Sequence, residues 1–133
     1  MITCKQVTKC FGDVTALSPF DLNLAKGEFV VVKGASGSGK TTLLLALGGM
    51  LRPTEGEIKY KGDNLYQLSP SELGNFRSNE VGFVFQMFHL VPYLNVEENV
   101  QLAISNGNQR NQSHRLLDQF GLSKRLTHTP SEL

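Results

Sequence analysis

Two cysteines, a formal charge of +1 and the absence of any long apolar run each close off a class of function for this 133-residue sequence. Cys4 and Cys10 fit neither a C-x-x-C metal pair nor the disulfide framework of a small secreted domain, and Cys4 alternates with Ile2 as a strand residue does. Both are expected to be reduced, structural thiols. Thirteen Lys+Arg against twelve Asp+Glu, scattered rather than clustered, argue against an extended basic surface, so no nucleic-acid partner is expected. No stretch approaches the ~20 apolar residues needed to cross a bilayer, and the N-terminus lacks the basic-then-apolar pattern of a signal peptide. The chain is expected to be cytoplasmic, whatever it attaches to. His89, His114 and His128 lack the paired spacing of a metal site and read as surface or packing residues.

The remaining composition, 40% hydrophobic and 19% charged, is that of a globular chain rather than a disordered or repetitive one. Alternation predicts a strand over residues 2–7 and a second over 16–24, leading through Ala25 into a Lys26-Gly27 turn. A strand-like run follows at 28–33. Residues 41–51 read as a helix buried on most sides, because Leu43, Leu44, Leu45, Ala46, Leu47, Met50 and Leu51 leave almost no polar face; Gly48-Gly49 and Pro53 end it. A short strand at 57–60 precedes the Lys61-Gly62-Asp63 turn, and Ser69-Pro70-Ser71-Glu72 starts a helix that should be short. The almost wholly apolar run 81–85 has the character of a central parallel strand covered on both faces. A helix over 96–104, with Asn95 as N-cap and Glu98 three residues on, breaks at Ser105-Asn106-Gly107-Asn108. Another, over 113–120, is stopped by Gly121.

Between the run at 28–33 and the apolar segment at 43–47 lie Gly34, Ala35, Ser36, Gly37, Ser38, Gly39, Lys40 and Thr41, the G-x-x-x-x-G-K-[ST] pattern of a phosphate-binding loop. A loop that wraps a polyphosphate turns several backbone N–H groups inward, and glycines at 34, 37 and 39 allow the positive φ angles and close approach this requires. The helix that follows aims further unsatisfied N–H groups and the positive end of its dipole at the same anion. Lys40 adds a full charge for the β- and γ-phosphates, the Thr41 hydroxyl can ligate a bridging Mg²⁺, and Thr42 can reach the α-phosphate. A nucleoside triphosphate, ATP with Mg²⁺, is the ligand this pattern implies. The competing reading is a Gly/Ser-rich turn that matches by chance.

Gln86 closes the run 82–86, Gly-Phe-Val-Phe-Gln, and is followed by His89-Leu90-Val91-Pro92 and by Asn95-Val96-Glu97-Glu98-Asn99-Val100. With the phosphate loop, these segments resemble the nucleotide-binding subunit of ABC transporters over essentially the whole chain. Residues 47–50 and 85–90 further resemble the lipoprotein-release and macrolide-export branch. The resemblance implies that Phe11 stacks on adenine, a ring offering area and orientation rather than a hydrogen-bond code. A plain core phenylalanine is the alternative. It also implies that Gln86 is the Q-loop glutamine, contacting Mg²⁺ and the attacking water and relaying nucleotide state to the membrane subunit. A neutral amide can do this without adding charge, although a polar residue that merely ends a strand would look the same. Phe88, Leu90, Val91, Pro92, Tyr93 and Leu94 would form part of the groove that receives the partner's coupling helix, unless they pack inside.

The resemblance thus implies an α/β P-loop NTPase of the ABC type, truncated, with an N-terminal antiparallel β portion and part of a helical subdomain. Residues 1–86 would be a partial nucleotide-binding core and 87–133 a partial helical subdomain. In the family the sequence after Leu133 continues into a Ser-Gly-Gly-Gln signature, a second acidic motif with its catalytic glutamate, and a switch histidine. Lys40 and Gln86 contribute to catalysis but no catalytic set is complete, so the chain is expected to bind ATP without hydrolysing it. The parent would hydrolyse ATP to drive transport by a transmembrane permease subunit, paired with a second nucleotide-binding subunit at the inner face of the plasma membrane. Apolar strand faces left uncovered by the truncation should make the fragment fragile or self-associating. A nonhydrolytic interaction fragment, or another P-loop enzyme such as a small-molecule kinase, remains open at this point.

Overall fold

An antiparallel sheet of four strands organises the first part of the computed structural model, which describes residues 1–104 and 109–133. The strands are β1 (Ile2–Phe11), β2 (Val14–Leu24), β3 (Glu55–Tyr60) and β4 (Asp63–Asn64), in the order β2-β1-β3-β4. β1 and β2 form a hairpin that pairs Phe11 with Val14 and Ile2 with Leu24, turning at Gly12, whose φ is +56°. β1 is interrupted by a bulge between Cys4 and Val7, where Gln6 takes a φ of +47°. The bulge is tied down by Asp21, whose carboxylate accepts from the Gln6 backbone N–H and side-chain amide. Opposite it, a Cβ on Gly56 would sit 2.3 Å from Gln6 O, so glycine is what permits the two backbones to approach.

The inner face of this sheet supplies Cys4, Val7, Leu17 and Ile58 to a core completed by Leu65, by Leu43 and Ala46 of helix α1 (Lys40–Leu47), and by Phe76 of α2 (Pro70–Glu80). Burying each larger apolar side chain here contributes about 1.5–3 kcal/mol. α1 is shorter than the run 41–51 suggests. It ends in a Schellman motif: Gly49, at φ +71°, donates to Ala46 O, and Met50 N–H donates back to Leu45 O at 2.9 Å. Nor is α1 buried on most sides; Leu43 and Ala46 are buried whereas Leu44 is half exposed. The helix after Ser69 runs to Glu80 rather than stopping early, started by a capping box between Ser69 and Glu72 with Pro70 in its first turn.

Two predicted strands are not formed. Residues 28–33 and 81–85 belong to no ladder among the described residues, and Phe29 and Val84 are 89% and 100% exposed. Val81 has the extended backbone of a strand residue, with φ −122° and ψ 130°. An apolar run states a demand for burial; a strand also needs a neighbour to accept its hydrogen bonds, and no described segment provides one. Phe83 has a packing role instead, its ring lying where a side chain on Gly48 would project.

The chain divides into two compact units, Met1–Phe83 and Val84–Leu133. In the second unit, α3 (Val96–Leu102) and α4 (Gln109–Gln119) pack together. The Asn95–Glu98 capping box starts α3, as the sequence predicts, and its first amides, Val96 and Glu97, donate to His128 O and Leu126 O at 2.9 and 3.1 Å. Val96, Ser113 and Leu117 are buried. The predicted break at 105–108 lies outside the described residues.

Candidate functional site

The loop at 34–39 owes its shape to its glycines. Gly37 and Gly39 have φ of +78° and +87°, the left-handed region that side-chain-bearing residues adopt only at a cost of about 1–2 kcal/mol. Close approach fixes Gly39, where a Cβ would lie 2.4 Å from Ala16 O of β2; at Gly34, whose φ is not positive, a Cβ would lie 2.5 Å from Ser38 Oγ, a hydroxyl that can rotate aside. Gly39 is the N-cap of α1 and provides no side-chain cap, and the first turn carries no acidic residue. The first acceptor–donor pair of the helix is Gly39 O with Leu43 N–H at 2.8 Å. The amides of Gly39, Lys40, Thr41 and Thr42 therefore have no acceptor among the described residues, at the positive end of an eight-residue helix. Such an end is complementary to an oxyanion.

Lys40 is the cation of this loop. Its ammonium donates to Gly34 O at 2.9 Å, to Ala35 O at 2.6 Å and to Ser38 Oγ at 3.4 Å. A backbone bond, Ser38 N–H to Ala35 O at 3.2 Å, also closes the loop on itself. The Thr41 backbone is at the exposed start of the helix and Thr42 is half-buried.

Phe11 ends β1 and is half exposed at 52%. It pairs with Val14, and Ala16, whose carbonyl approaches Gly39, is two residues further along β2, about 7 Å at the rise of a strand. The sheet thus brings the aromatic ring and the glycine loop to one end of β2. The ring has a neighbour that sequence reading did not single out: the Lys9 ammonium stands 4.9 Å from its centroid. Alternation on β1 puts residues 9 and 11 on one face, which was the available signal. Gln86 belongs to the second unit, where it is exposed. Nearby, the Phe85 and His89 rings meet edge to face at 4.8 Å, and Met87, Phe88 and Tyr93 are exposed while Val91 and Leu94 are partly covered.

Burial pushes the Cys4 thiol up to about 11, with the Asp21 carboxylate adding to the effect, so it is an inert core group. Cys4 and Cys10 are both free thiols. No cluster of three or more metal-ligating His, Cys, Asp or Glu side chains occurs among the described residues. No helix among them is long and apolar enough to cross a membrane.

The Gly34–Thr41 motif running into α1, together with a likeness to solved ABC cassettes, places the chain in the P-loop NTPase class of fold. The family model for ABC transporters matches residues 17–133. The chain belongs to the ABC transporter family. It is 41% identical to a putative hemin import ATP-binding protein, HrtA, of Staphylococcus haemolyticus, an alignment covering 95% of this chain and 61% of that protein. With the lipoprotein-releasing system ATP-binding protein LolD of Acinetobacter baylyi it shares 40% identity, over 100% of this chain and 63% of the relative. The solved dimeric structure of MJ0796, a bacterial ABC transporter cassette, superposes with a TM-score of 0.87 at 36% identity, covering 100% of this chain and 63% of that one. The chain thus spans about three fifths of the length of these relatives. The lipoprotein-release and macrolide-export likeness has counterparts in LolD and MacB relatives, and the kinase alternative finds no support in these comparisons.

Proposed function

We propose that residues 34–42 bind the phosphates of Mg-ATP, that Phe11 receives the adenine, and that in the whole protein this site powers transport by a membrane partner. The observation that carries the reading is the set of four acceptor-free amides, Gly39 to Thr42, at the start of α1 beside the Lys40 ammonium. An anion reaching them satisfies groups that are otherwise unpaired, and it meets a helix dipole and a full positive charge together. On binding, the ammonium exchanges the carbonyls of Gly34 and Ala35 for β- and γ-phosphate oxygens. The loop suits a polyphosphate because its glycines leave the backbone bare. The Thr41 hydroxyl would hold Mg²⁺, a neutral oxygen being suited to a hard cation that keeps most of its waters. Bound there, the metal supplies charge neutralisation between the phosphates.

These residues bind and orient; hydrolysis and transport are assigned to the whole protein, because the chain spans only 61% and 63% of the two relatives above. For the 133 residues alone we propose ATP binding without turnover. The partners proposed for the whole protein are a membrane permease, as the relatives' transport names suggest, and a second nucleotide-binding subunit, as the dimeric MJ0796 cassette suggests. Residues 1–86 would serve as the nucleotide core and 87–133 as the permease-facing helical part.

A titration with labelled ATP and Mg²⁺ tests the assignment. Lys40→Ala should lose most of the affinity, and equal binding by the two proteins would sink it.

A further inference from the structure

Lys9 is placed by three contacts that join the end of β1 to the segment following α1. Its ammonium donates to Arg52 O at 2.9 Å while standing 4.9 Å from the centre of the Phe11 ring. On either side of it, Thr54 N–H donates to Thr8 O at 2.8 Å and Cys10 N–H donates to Thr54 Oγ1 at 3.0 Å. Backbone groups of residues 8 and 10, and the side chain of residue 9, are therefore all fastened to residues 52–54. No carboxylate pairs with Lys9 among the described residues, so the neighbours of this cation are a carbonyl and a π-face.

A cation over an aromatic face is held by the ring's quadrupole, and a cation also hydrogen-bonded to a fixed carbonyl holds the ring in return. Phe11 ends its strand and is half exposed, so little else restrains its χ angles. The two faces of the ring are then unequal. One carries the ammonium; the other is available to a planar ligand, whose stacking area is the ring's whole contribution to binding a base. An ammonium on the back face draws π-density away from the front, which favours stacking by an electron-rich purine.

From this geometry we infer that Lys9 is a positioning residue for the base: it fixes the Phe11 ring against the Arg52 carbonyl and leaves one face open for the purine of the nucleotide. The inference rests on the reading of Phe11 as the base platform, and the sequence motifs say nothing of it. Its role is confined to the base; the phosphates are left to the loop.

Affinities for labelled ATP and for inorganic tripolyphosphate, measured on the 133-residue chain and on Lys9→Met, Lys9→Arg and Phe11→Ala, test it. Lys9→Met should weaken ATP roughly two- to five-fold, the range of an exposed cation–π contact, and leave tripolyphosphate unchanged. Lys9→Arg, which keeps the charge, the donor and the stacking, should restore ATP affinity. An equal loss for both ligands in Lys9→Met would overturn the inference, because removing a charge or loosening the fold weakens phosphate binding too. If Phe11→Ala weakens ATP while Lys9→Met does not, the positioning role fails and the platform stands. Should Phe11→Ala leave ATP affinity unchanged, the platform reading fails and takes the inference with it.

Discussion

Asn99 holds Val91 by both of its backbone groups: Val91 N–H donates to Asn99 Oδ1 at 2.8 Å, and Asn99 Nδ2 donates to Val91 O at 3.1 Å. The same nitrogen reaches Leu94 O at 2.9 Å and Asn95 O at 3.0 Å. One side-chain amide thereby ties the segment 91–95 to α3. Asn99→Ala leaves the Val91 N–H and the Leu94 carbonyl without this partner, while Val91 O and Asn95 O keep their backbone donors Leu94 and Asn99, at a cost of about 1–3 kcal/mol. Amide hydrogen exchange at Val91 should accelerate in the variant while α1 amides keep their protection. Unchanged exchange at Val91 would mean the clamp is idle in solution.

The glycines of the phosphate loop separate into two kinds. Gly37→Ala meets a φ of +78° but open space, whereas Gly39→Ala meets +87° and a backbone oxygen at 2.4 Å. Gly37→Ala should cost about 1–2 kcal/mol of stability. Gly39→Ala should cost more, since Ala16 O sits on β2 and cannot turn aside. Urea unfolding of the two variants checks the order; a smaller loss for Gly39→Ala would contradict the approach of β2 to the loop.

Alkaline pH should destabilise the chain through two groups held neutral in the fold, Cys4 in the core and the partly buried Tyr66. Burial lifts Cys4 from 9.0 to about 11 and Tyr66 from 10.0 to about 12, the hydrogen bond to the Leu51 backbone and then the nearby Arg52 and Arg77 guanidinium groups only partly opposing the second shift. The folded state keeps these protons where the unfolded chain has released them. Their contribution is intact below pH 9 and lost as pH rises through 11 for Cys4, then through 12 for Tyr66. Unfolding midpoints followed across this window should fall for the native chain, and the fall between 9 and 11 should flatten in Cys4→Ala. Below it, thiol labelling should reach the less buried Cys10 before Cys4; equal rates would argue against a sealed core.

Exposed apolar side chains set the behaviour of the chain in solution. Phe29 is 89% exposed and Val31 60% in the first unit, and Phe88 is 88% exposed in the second. Surfaces of this kind seek cover, so the apparent mass in sedimentation should rise with concentration. Phe29→Lys and Phe88→Lys together should lower that dependence. A mass independent of concentration in the native chain would show these side chains to be harmless.

The same exposed residues mark where the sequence was legible and where it was not. Alternation located β1 and β2, the Lys61-Gly62-Asp63 turn marked the end of β3, and the capping boxes at Ser69–Glu72 and Asn95–Glu98 announced their helices, because those signals act over a few residues. The full length of β1 was hidden by its bulge, which depends on Asp21 and Gly56, far away in sequence. Residues 28–33 and 81–85 misled for another reason. Their apolar character reports what they would bury against, and no described neighbour pairs with them. In the candidate site, the glycine–lysine loop was plain from its motif. Lys9 was not, since its meaning comes from the Arg52 carbonyl, brought to it only by the pairing of β1 with β3.

That pairing has a kinetic side. The β1–β2 hairpin closes through a tight turn, but β1 meets β3 only when Thr8 finds Glu55, and all of residues 12–54 lie inside the loop so formed. Closing a long loop costs entropy before its contacts repay it, so the hairpin should form early and the phosphate loop, enclosed by the later step, should take shape near the end. A phosphate ligand that grips Gly39 to Thr42 would then act on a structure absent from the folding transition state. It should slow unfolding and leave the rate of folding almost untouched.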